Sequence, residues 1–261
     1  MIEGRSFRFT KAITRRPSQS ITDGLRDGEG PDPDAALFGR QHAAYVSALK
    51  NIGAEVFELP ELEDFPDSVF VEDTSISLSD AAIVLRPGAS SRLGEAALIK
   101  PVLEGQFDRV IELAGDGFID GGDVLLTDNH AFIGLSERTN QAGFDALATI
   151  LKTFDYSPVQ VNTPSDILHF KTECGLLDSN TIFATAKMAS LGCFAGYKVI
   201  TVPEGEEAAA NAVRFADTVL LSAGYPKSEA MLRENGYIVV VLDTSEAAKV
   251  DGGLSCMSLR F

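Results

Sequence analysis

The sequence predicts an α/β fold in which five units of strand, strand, helix and strand (ββαβ) close into an α/β propeller. One observation is that this order of elements repeats along the 261 residues. A second is that polar residues near the first strand of each unit recur every 40 to 49 residues. Such spacing is typical of a closed radial array rather than of two independent domains. The spaced residues are Asp73, Asp120, His169, Asn211 and Asp251.

The N-terminal part of the chain supplies a strand, a long polar segment, a helix and a further strand. Residues 6–14 alternate apolar and polar side chains, which predicts the strand. Residues 15–34 are rich in Pro, Gly, Asp and Ser, and we interpret them as either a functional lid or a disordered insertion. Pro33 and Asp34 then open a helix that runs to residue 51, and residues 54–59 form the next strand.

The middle of the chain contains the clearest repeats. We expect the first strand of each unit to end near a common axis, because the units are arranged radially. One unit has predicted strands at 68–71, 76–78, 82–85 and 109–113 and a helix at 95–103; the next has strands at 124–127, 131–135 and 159–161 and a helix at 140–154. A third unit starts at His169, a fourth has strands at 218–221 and 237–242 and a helix at 227–235, and the fifth starts at Asp251 and is completed by the N-terminal segment.

Composition narrows the class of protein. The formal charge of −16 leaves no basic stripe for phosphates, which argues against nucleic-acid and anionic-membrane partners and permits a small cationic substrate. No apolar run reaches the roughly 18 residues of a membrane span. Three cysteines without metal-ligand spacing indicate neither a disulfide framework nor a zinc site, and they fit a reducing cytoplasm. Residues 1–5 are interpreted as either a protease-cleavage remnant or a native segment, and the single predicted domain spans 6–261.

Cys256 is the candidate nucleophile because it follows a Gly-Gly turn and precedes a short alternating strand. A lone cysteine is more often a small apolar side chain, so the hypothesis needs a partner. His169 is the candidate partner, provided that the fold brings the two residues together. The acidic Gly-Gly turn from Asp120 to Asp123 and the acidic pair of Glu72 and Asp73 also favour a catalytic role for Cys256.

Six short motifs, running in order along the chain, resemble those of the dimethylarginine dimethylaminohydrolases. This family is a branch of the guanidine-modifying (pentein) superfamily, and the resemblance covers the chain from about residue 7 to its C-terminus. It implies a five-bladed α/β propeller, in agreement with the repeats. The motifs are FVED at 70–73, RPGASSR at 86–92, DGGDV at 120–124, GLSERTNQ at 134–141, LH at 168–169 and VDGGLSC at 250–256.

The resemblance also implies roles for individual residues. Cys256 would be the nucleophile, His169 the general acid and base, and Asp120 the residue that orients it. No cofactor or metal is implied, and homodimer formation is left open. The substrate would be an N-ω-methylated arginine, hydrolysed to citrulline and an alkylamine through a covalent S-alkylthiouronium. Asp67, Glu72 and Asp73 would hold the guanidinium and α-amino groups, Arg92 and Arg138 the carboxylate, and Leu25, Val250 and Asp251 would make further contacts.

Two alternative functions stay open at this point. The first is another guanidine hydrolase or an amidinotransferase of the same fold, for example one resembling arginine deiminase. The second is a protein that binds a basic amino acid without turnover. The set formed by Cys256, His169 and Asp120 argues against the second alternative, because binding alone needs no nucleophile or proton donor.

Overall fold

Five three-stranded sheets form the blades of a propeller in the computed structural model, which describes residues 4–261. In each blade an inner strand is antiparallel to the middle strand, and the outer strand is parallel to the middle strand. The middle strands are β1 (Lys11–Arg15), β4 (Ala81–Val84), β7 (His130–Leu135), β10 (Thr181–Ala184) and β13 (Thr218–Ser222). The outer strands are β2 (Glu55–Leu59), β5 (Arg109–Glu112), β8 (Ser157–Asn162), β11 (Lys198–Thr201) and β14 (Ile238–Leu242). The inner strands are β3 (Ser75–Ser77), β6 (Val124–Leu126), β9 (Cys174–Asp178), β12 (Val213–Phe215) and β15 (Leu259–Arg260).

A helix connects the middle strand of each blade to its outer strand, as the ββαβ prediction requires. These helices are α1 (Ala35–Asn51), α2 (Leu93–Glu104), α3 (Gln141–Lys152), α4 (Ala186–Ser190) and α5 (Pro226–Glu234), and α6 (Ser245–Ala248) follows the last outer strand. The predicted start of the first helix is confirmed, because the Asp34 carboxylate accepts a hydrogen bond from the backbone N–H of Leu37 at 2.9 Å. Asn140 caps α3 in the same way.

The two ends of the chain close the ring. The C-terminal strand β15 pairs with β1, with Ala12 opposite Arg260 and Ile13 opposite Leu259. Blade 1 therefore contains β15, β1 and β2, and blades 2 to 5 follow in chain order. This pairing places the segment that carries Cys256 immediately before an inner strand.

The hydrophobic core is divided into five clusters, each packed between two neighbouring blades. Alternate side chains of a middle strand enter different clusters, as the two-residue period of a strand dictates. In β1, Ala12 packs toward blade 5 and Ile13 toward blade 2. In β7, Phe132 packs toward blade 4 and Ile133 toward blade 2. The middle strands are thus buried on both faces.

The prediction of a strand at 68–71 is wrong. This stretch lies in two consecutive 3-10 turns, Pro66–Val69 and Val71–Thr74. Its apolar residues are buried in different clusters, since Val69 packs between blades 1 and 5 and Val71 between blades 1 and 2. Apolar side chains that enter two separate cores do not require an extended backbone.

The N-terminal residues differ in part from expectation. The first strand is β1 rather than 6–14, and residues 1–3 of the predicted cleavage remnant lie outside the described residues. Gly4 donates its backbone N–H to an Asp128 carboxylate oxygen at 2.7 Å. The Arg5 guanidinium lies 3.7 Å from the centre of the Tyr156 ring. Within residues 4–261, no helix is long and apolar enough to cross a membrane.

Candidate active site

The candidate active site is a cavity of about 30 Å³ formed by the segments that lead into the inner strands. Short 3-10 turns precede β3, β6 and β9, and a tight turn at 254–257 precedes β15. The propeller brings these turns together at one end of its axis. Ten of the eleven predicted site residues line the cavity: Leu25, Asp67, Asp73, Arg92, Asp120, Arg138, His169, Val250, Asp251 and Cys256. Phe70, Leu168 and Gly252 complete its wall.

Hydrogen bonds of the Cys256 carbonyl and of the neighbouring Ser255 hold Cys256 in position. Its carbonyl accepts a hydrogen bond from the backbone N–H of Glu72 at 3.1 Å. The side chain of Asn211 accepts from the backbone N–H of Ser255 at 2.9 Å and donates to the Ser255 hydroxyl at 3.0 Å. Burial, together with the negative charges of Glu72 and Asp73, raises the pKa of the Cys256 thiol to about 12. The thiol is therefore protonated at neutral pH in the protein alone.

His169 forms a buried pair with Asp120. Its Nε2 lies 2.9 Å from Asp120 Oδ2, and the other carboxylate oxygen accepts from the backbone N–H of Gly88 at 2.8 Å. Burial disfavours the imidazolium, but the charge of Asp73, the bond to Asp120 and the charge of Asp123 outweigh it and raise the pKa of His169 to about 9. His169 is consequently protonated at neutral pH and can act as an acid.

Gly122, in the turn that begins at Asp120, lets the His169 ring lie close to the Asp73 carboxylate. A Cβ atom on Gly122 would lie 2.8 Å from the His169 ring and 2.9 Å from Asp73 Oδ1. The backbone N–H of Gly122 instead donates to that carboxylate oxygen at 3.0 Å. The glycine at position 122 therefore has a steric reason, because any side chain there would push His169 and the Asp73 carboxylate apart.

Asp73 and Arg92 form a buried ion pair at the cavity wall, with 2.5 Å between Asp73 Oδ2 and Arg92 Nη1. Burial favours the neutral carboxyl, but the charges of His169 and Arg92 hold the pKa of Asp73 below its usual value. Arg92 also binds both carboxylate oxygens of Glu95 and the backbone carbonyls of Asp67 and Phe70. Arg92 is thus extensively bound within the protein.

Arg138 has a different environment from Arg92. Its side chain is half-buried, and among residues 4–261 no carboxylate oxygen lies within 4.0 Å of its guanidinium nitrogens. Of the two predicted carboxylate-binding arginines, Arg138 is therefore the one whose charge is not already neutralised by a direct ion pair. The assignment of both residues to a carboxylate clamp stays a prediction.

Backbone groups of the segment 15–34 contact two of the predicted site carboxylates. Asp67 Oδ1 accepts from the backbone N–H of Leu25 at 2.9 Å, and Asp251 Oδ2 accepts from the backbone N–H of Asp27 at 2.6 Å. Burial raises the pKa of Asp67, against the opposing effect of Arg92. The segment that was expected to be a lid or an insertion thus lies against the cavity, with Leu25 in its wall.

Glu72 is the predicted site residue that does not line this cavity. We expected it to share the site with Asp73, but the two side chains leave the turn in different directions. One Glu72 carboxylate oxygen binds Lys171 Nζ at 2.6 Å and Arg260 Nη2 at 2.8 Å. These groups line a second cavity, of about 100 Å³, to which all five inner strands contribute. Lys171 and Arg260 hold this oxygen of Glu72 at the axial cavity, and the assignment of Glu72 to the substrate site stays a prediction.

Asp73, Asp120 and His169 place nitrogen and oxygen atoms within 4.8 Å of one another, as a metal site would require. Each already has protein partners, however: Asp73 binds Arg92 and Gly122, and Asp120 binds His169 and Gly88. A metal ion would have to replace these bonds. The arrangement is that of a hydrogen-bonded ion-pair network, suited to moving a proton and holding a cation.

Three supporting residues were given no role in the site from the sequence. Glu95 holds Arg92, and Asn211 holds the turn before Cys256. Asp123 is fully buried and accepts hydrogen bonds from Ser136, Thr139 and the backbone N–H of Phe170, which fixes the loop after His169. Only Glu95 had a recognisable signal, since residues three apart at a helix start can form an ion pair. The contacts of Asn211 and Asp123 join segments that are distant in the sequence and adjacent in the fold, as between Asn211 and Ser255 or Asp123 and Phe170.

Comparison with known proteins identifies similar sequences and folds. A family model described as eukaryotic N,N dimethylarginine dimethylhydrolase matches residues 34–206. The N(G),N(G)-dimethylarginine dimethylaminohydrolase of Pseudomonas aeruginosa is 38% identical over 97% of this chain and 100% of its own length. The structure of a cysteine-to-serine mutant of that protein complexed with citrulline matches with a TM-score of 0.94, covering 98% of this chain and 100% of the other.

A second solved structure has the same degree of similarity. It is a dimethylarginine dimethylaminohydrolase with a histidine-to-glycine change, in an adduct with S-methyl-L-thiocitrulline. Its identity to this chain is 37% and its TM-score is 0.94, over 97% of this chain and 100% of the other. The five-bladed α/β propeller predicted from the repeats is thus confirmed by both the blade count and these fold matches.

Proposed function

Because this chain belongs to the N,N-dimethylarginine dimethylhydrolase family, we propose that it hydrolyses N-ω-methylated arginine to citrulline and an alkylamine, with Cys256 as nucleophile. The observation that carries this proposal is the convergence of Cys256, His169, Asp120 and Asp73 on one small cavity. The proposal assigns catalytic roles to the first three residues and the guanidinium-binding role to Asp73. These assignments rest on the chemistry of the side chains and on their geometry.

The charges around the cavity fit the two ends of an amino acid with a cationic side chain. A guanidinium is planar and donates several N–H bonds, which a carboxylate such as that of Asp73 accepts well. At the other end, the guanidinium of Arg138, which forms no salt bridge with any residue that the structure describes, suits an α-carboxylate. Asp67, Val250 and Asp251 line the cavity and complete the proposed contacts to the α-amino group and the chain. Leu25, from the segment 15–34, would cover the bound molecule.

The resting protonation states suit activation by the substrate itself. The Cys256 thiol has a pKa of about 12 and is protonated, whereas His169 has a pKa of about 9 and is an imidazolium at neutral pH. A guanidinium bound beside Cys256 stabilises its thiolate, so the thiol releases its proton to solvent as the cation binds. The acid form of His169 stays available for the leaving amine.

The proposed reaction has two steps. The Cys256 thiolate forms a C–S bond to the central guanidinium carbon, and the C–N bond to the methylated nitrogen breaks as His169 transfers its proton to that nitrogen. The alkylamine leaves and an S-alkylthiouronium remains on Cys256. In the second step neutral His169 takes one proton from water and the new C–O bond forms. The C–S bond then breaks as the second water proton passes to the Cys256 sulfur, which gives citrulline, the Cys256 thiol and the His169 imidazolium. Asp120 stabilises His169 in its charged form.

The relatives support this proposal at the level of the family. The Pseudomonas protein carries the name of this activity, and a cysteine-to-serine mutant of it was captured with citrulline. Citrulline is the product of the proposed reaction, and its neutral urea group would lie at the Cys256 end of the cavity. We therefore expect citrulline to bind and to inhibit.

A panel of four substrates tests the proposed function. Citrulline release should be fastest from dimethylarginine or monomethylarginine and slower from arginine. Agmatine, which lacks the α-carboxylate, should be the poorest, because it cannot use Arg138. Preference for arginine would favour a deiminase, and binding without release of citrulline from any of the four would favour a binding protein.

The proposal extends to a reducing, cytoplasmic location. The three cysteines within the described residues are free, and burial raises the pKa of both Cys174 and Cys193. Cell fractionation would test the location. Light scattering of the purified protein would distinguish a monomer from a homodimer, which the sequence leaves open.

A further inference from the structure

Glu95, in the first turn of α2, is a buried carboxylate that forms a salt bridge within 4.0 Å with one cation among residues 4–261, that of Arg92. It is 4% exposed, and its two oxygens accept hydrogen bonds from Nε and Nη2 of Arg92 at 3.1 and 2.7 Å. This two-pronged contact is the geometry in which an arginine binds a carboxylate most specifically. Glu95 does not line the substrate cavity, so any effect on the substrate must act through Arg92.

The opposite side of Arg92 faces Asp73. Its Nη1 donates to Asp73 Oδ2, so one guanidinium lies between two buried carboxylates. Arg92 and Asp73 alone would form a neutral pair. With the charge of Glu95 included, the three side chains together carry one net negative charge, next to the place where the cationic substrate is proposed to bind. A charge at this depth is screened less by solvent than one at the surface.

We infer that Glu95 is a positioning residue for cation binding. By engaging Arg92 on the side away from the cavity, it leaves Asp73 with the surplus negative charge that a guanidinium requires. It also fixes the plane of Arg92, whose Nη2 donates to the carbonyls of Asp67 and Phe70 and so holds the turn that carries Asp73. This inference rests on the proposed function.

Glu95 could supply negative charge or only support the turn, and the two roles lead to different expected results. If Glu95 only supported the turn, its loss would weaken all ligands of the cavity by a similar factor. If it supplies the surplus charge, its loss would weaken ligands with a cationic side chain much more than neutral ones. Dimethylarginine and citrulline form a suitable pair, because both have the same α-amino and α-carboxylate groups and differ in the charge of the side chain.

The test is calorimetric binding of both compounds in a Cys256→Ser background, which prevents turnover. Glu95→Gln should weaken dimethylarginine by about 10- to 100-fold, the range expected when a charged partner of a hydrogen bond is lost. Citrulline should weaken by less than about threefold on the same scale. Glu104→Gln is the matched control, because it removes the same charge from an exposed position at the end of α2 and should change neither constant.

If Glu95→Gln does not fold, a second pair of variants tests the same inference. Glu95→Asp keeps the charge and Glu95→Asn removes it at the same length, so the first should retain the preference for dimethylarginine over citrulline and the second should lose it. Equal weakening of both ligands in the neutral variants would overturn the inference while leaving the proposed function intact. Failure of the unmodified protein to release citrulline from dimethylarginine would instead remove the proposed function and this inference with it.

Discussion

Replacing Asp73 with asparagine removes one buried negative charge and keeps the shape of the side chain. Asp73 is 3% exposed, and its oxygens bind Arg92 and the backbone N–H of Gly122. Arg92 would keep Glu95 as its partner, so we expect Asp73→Asn to fold. The loss falls on the substrate, whose guanidinium would face an amide in place of a carboxylate.

The expected magnitude follows from the burial of the pair. Breaking one partner of a buried, hydrogen-bonded charge pair costs about 3 kcal/mol, which corresponds to about 100-fold in kcat/KM. The effect on the thiol should have the opposite sign. Asp73 helps to raise the pKa of Cys256, so its removal should lower that pKa and increase the thiolate fraction at a given pH.

Two assays on Asp73→Asn measure these opposite effects. Citrulline release from dimethylarginine should fall by about 100-fold, whereas alkylation of Cys256 by neutral iodoacetamide should become faster at pH 8. Peptide mass spectrometry assigns the alkylated cysteine. A kcat/KM within about threefold of the unmodified protein would refute the assignment of the guanidinium site to Asp73. Parallel loss of turnover and alkylation would indicate a damaged fold instead.

Three further predictions follow from the site. Turnover should be lost as pH rises through about 9, because His169 must be protonated to release the amine. The raised pKa of His169 also affects folding. The stability that its imidazolium contributes is fully present below about pH 6.5 and is lost as pH rises from there through about 9. A kcat profile without a fall near pH 9 would contradict this role. Gly122→Ala should reduce kcat by at least about tenfold, because its Cβ would push the His169 ring away from the Asp73 carboxylate. Gly39→Ala is the control, since a Cβ at this position in α1 meets no atom within 4 Å. It should leave the stability unchanged in thermal unfolding or raise it by up to about 1 kcal/mol. Equal activity of the two glycine variants would show that the close approach is unnecessary. Arg138→Ala should abolish most of the preference for dimethylarginine over its decarboxylated analogue, and an unchanged ratio of their kcat/KM values would remove Arg138 from the carboxylate site.

The repeated order of elements made most of the fold predictable. Helix α1 begins after Asp34 because its side chain caps the first turn, and the sequence carries that signal locally. The inner-strand ends converge because the units repeat around an axis, so Asp120, His169 and Cys256 could be grouped without knowledge of any contact between them. Periodicity and capping are local properties, and they are the part of the fold that can be read from a single sequence.

The direction of side chains in the turns could not be predicted in this way. Glu72 and Asp73 are adjacent, yet Asp73 binds Arg92 at the substrate cavity and Glu72 binds Lys171 and Arg260 in the axial cavity. Strand alternation did not apply, because residues 71–74 form a 3-10 turn. The cations that select each direction come from blades 1, 2 and 4, and no local pattern at residues 72 and 73 indicates them.

Trapping the covalent intermediate tests the central claim most directly. In His169→Ala, Cys256 can still attack the guanidinium carbon, but the base that activates water for the second step is missing. Incubation of this variant with S-methyl-L-thiocitrulline, whose thiol leaving group needs less protonation than an amine, should leave an S-alkylthiouronium on the peptide that contains Cys256, and mass spectrometry should detect it. An adduct on Cys174 or Cys193 in place of Cys256, or no adduct at all while the compound is consumed, would contradict the assignment of Cys256 as the nucleophile.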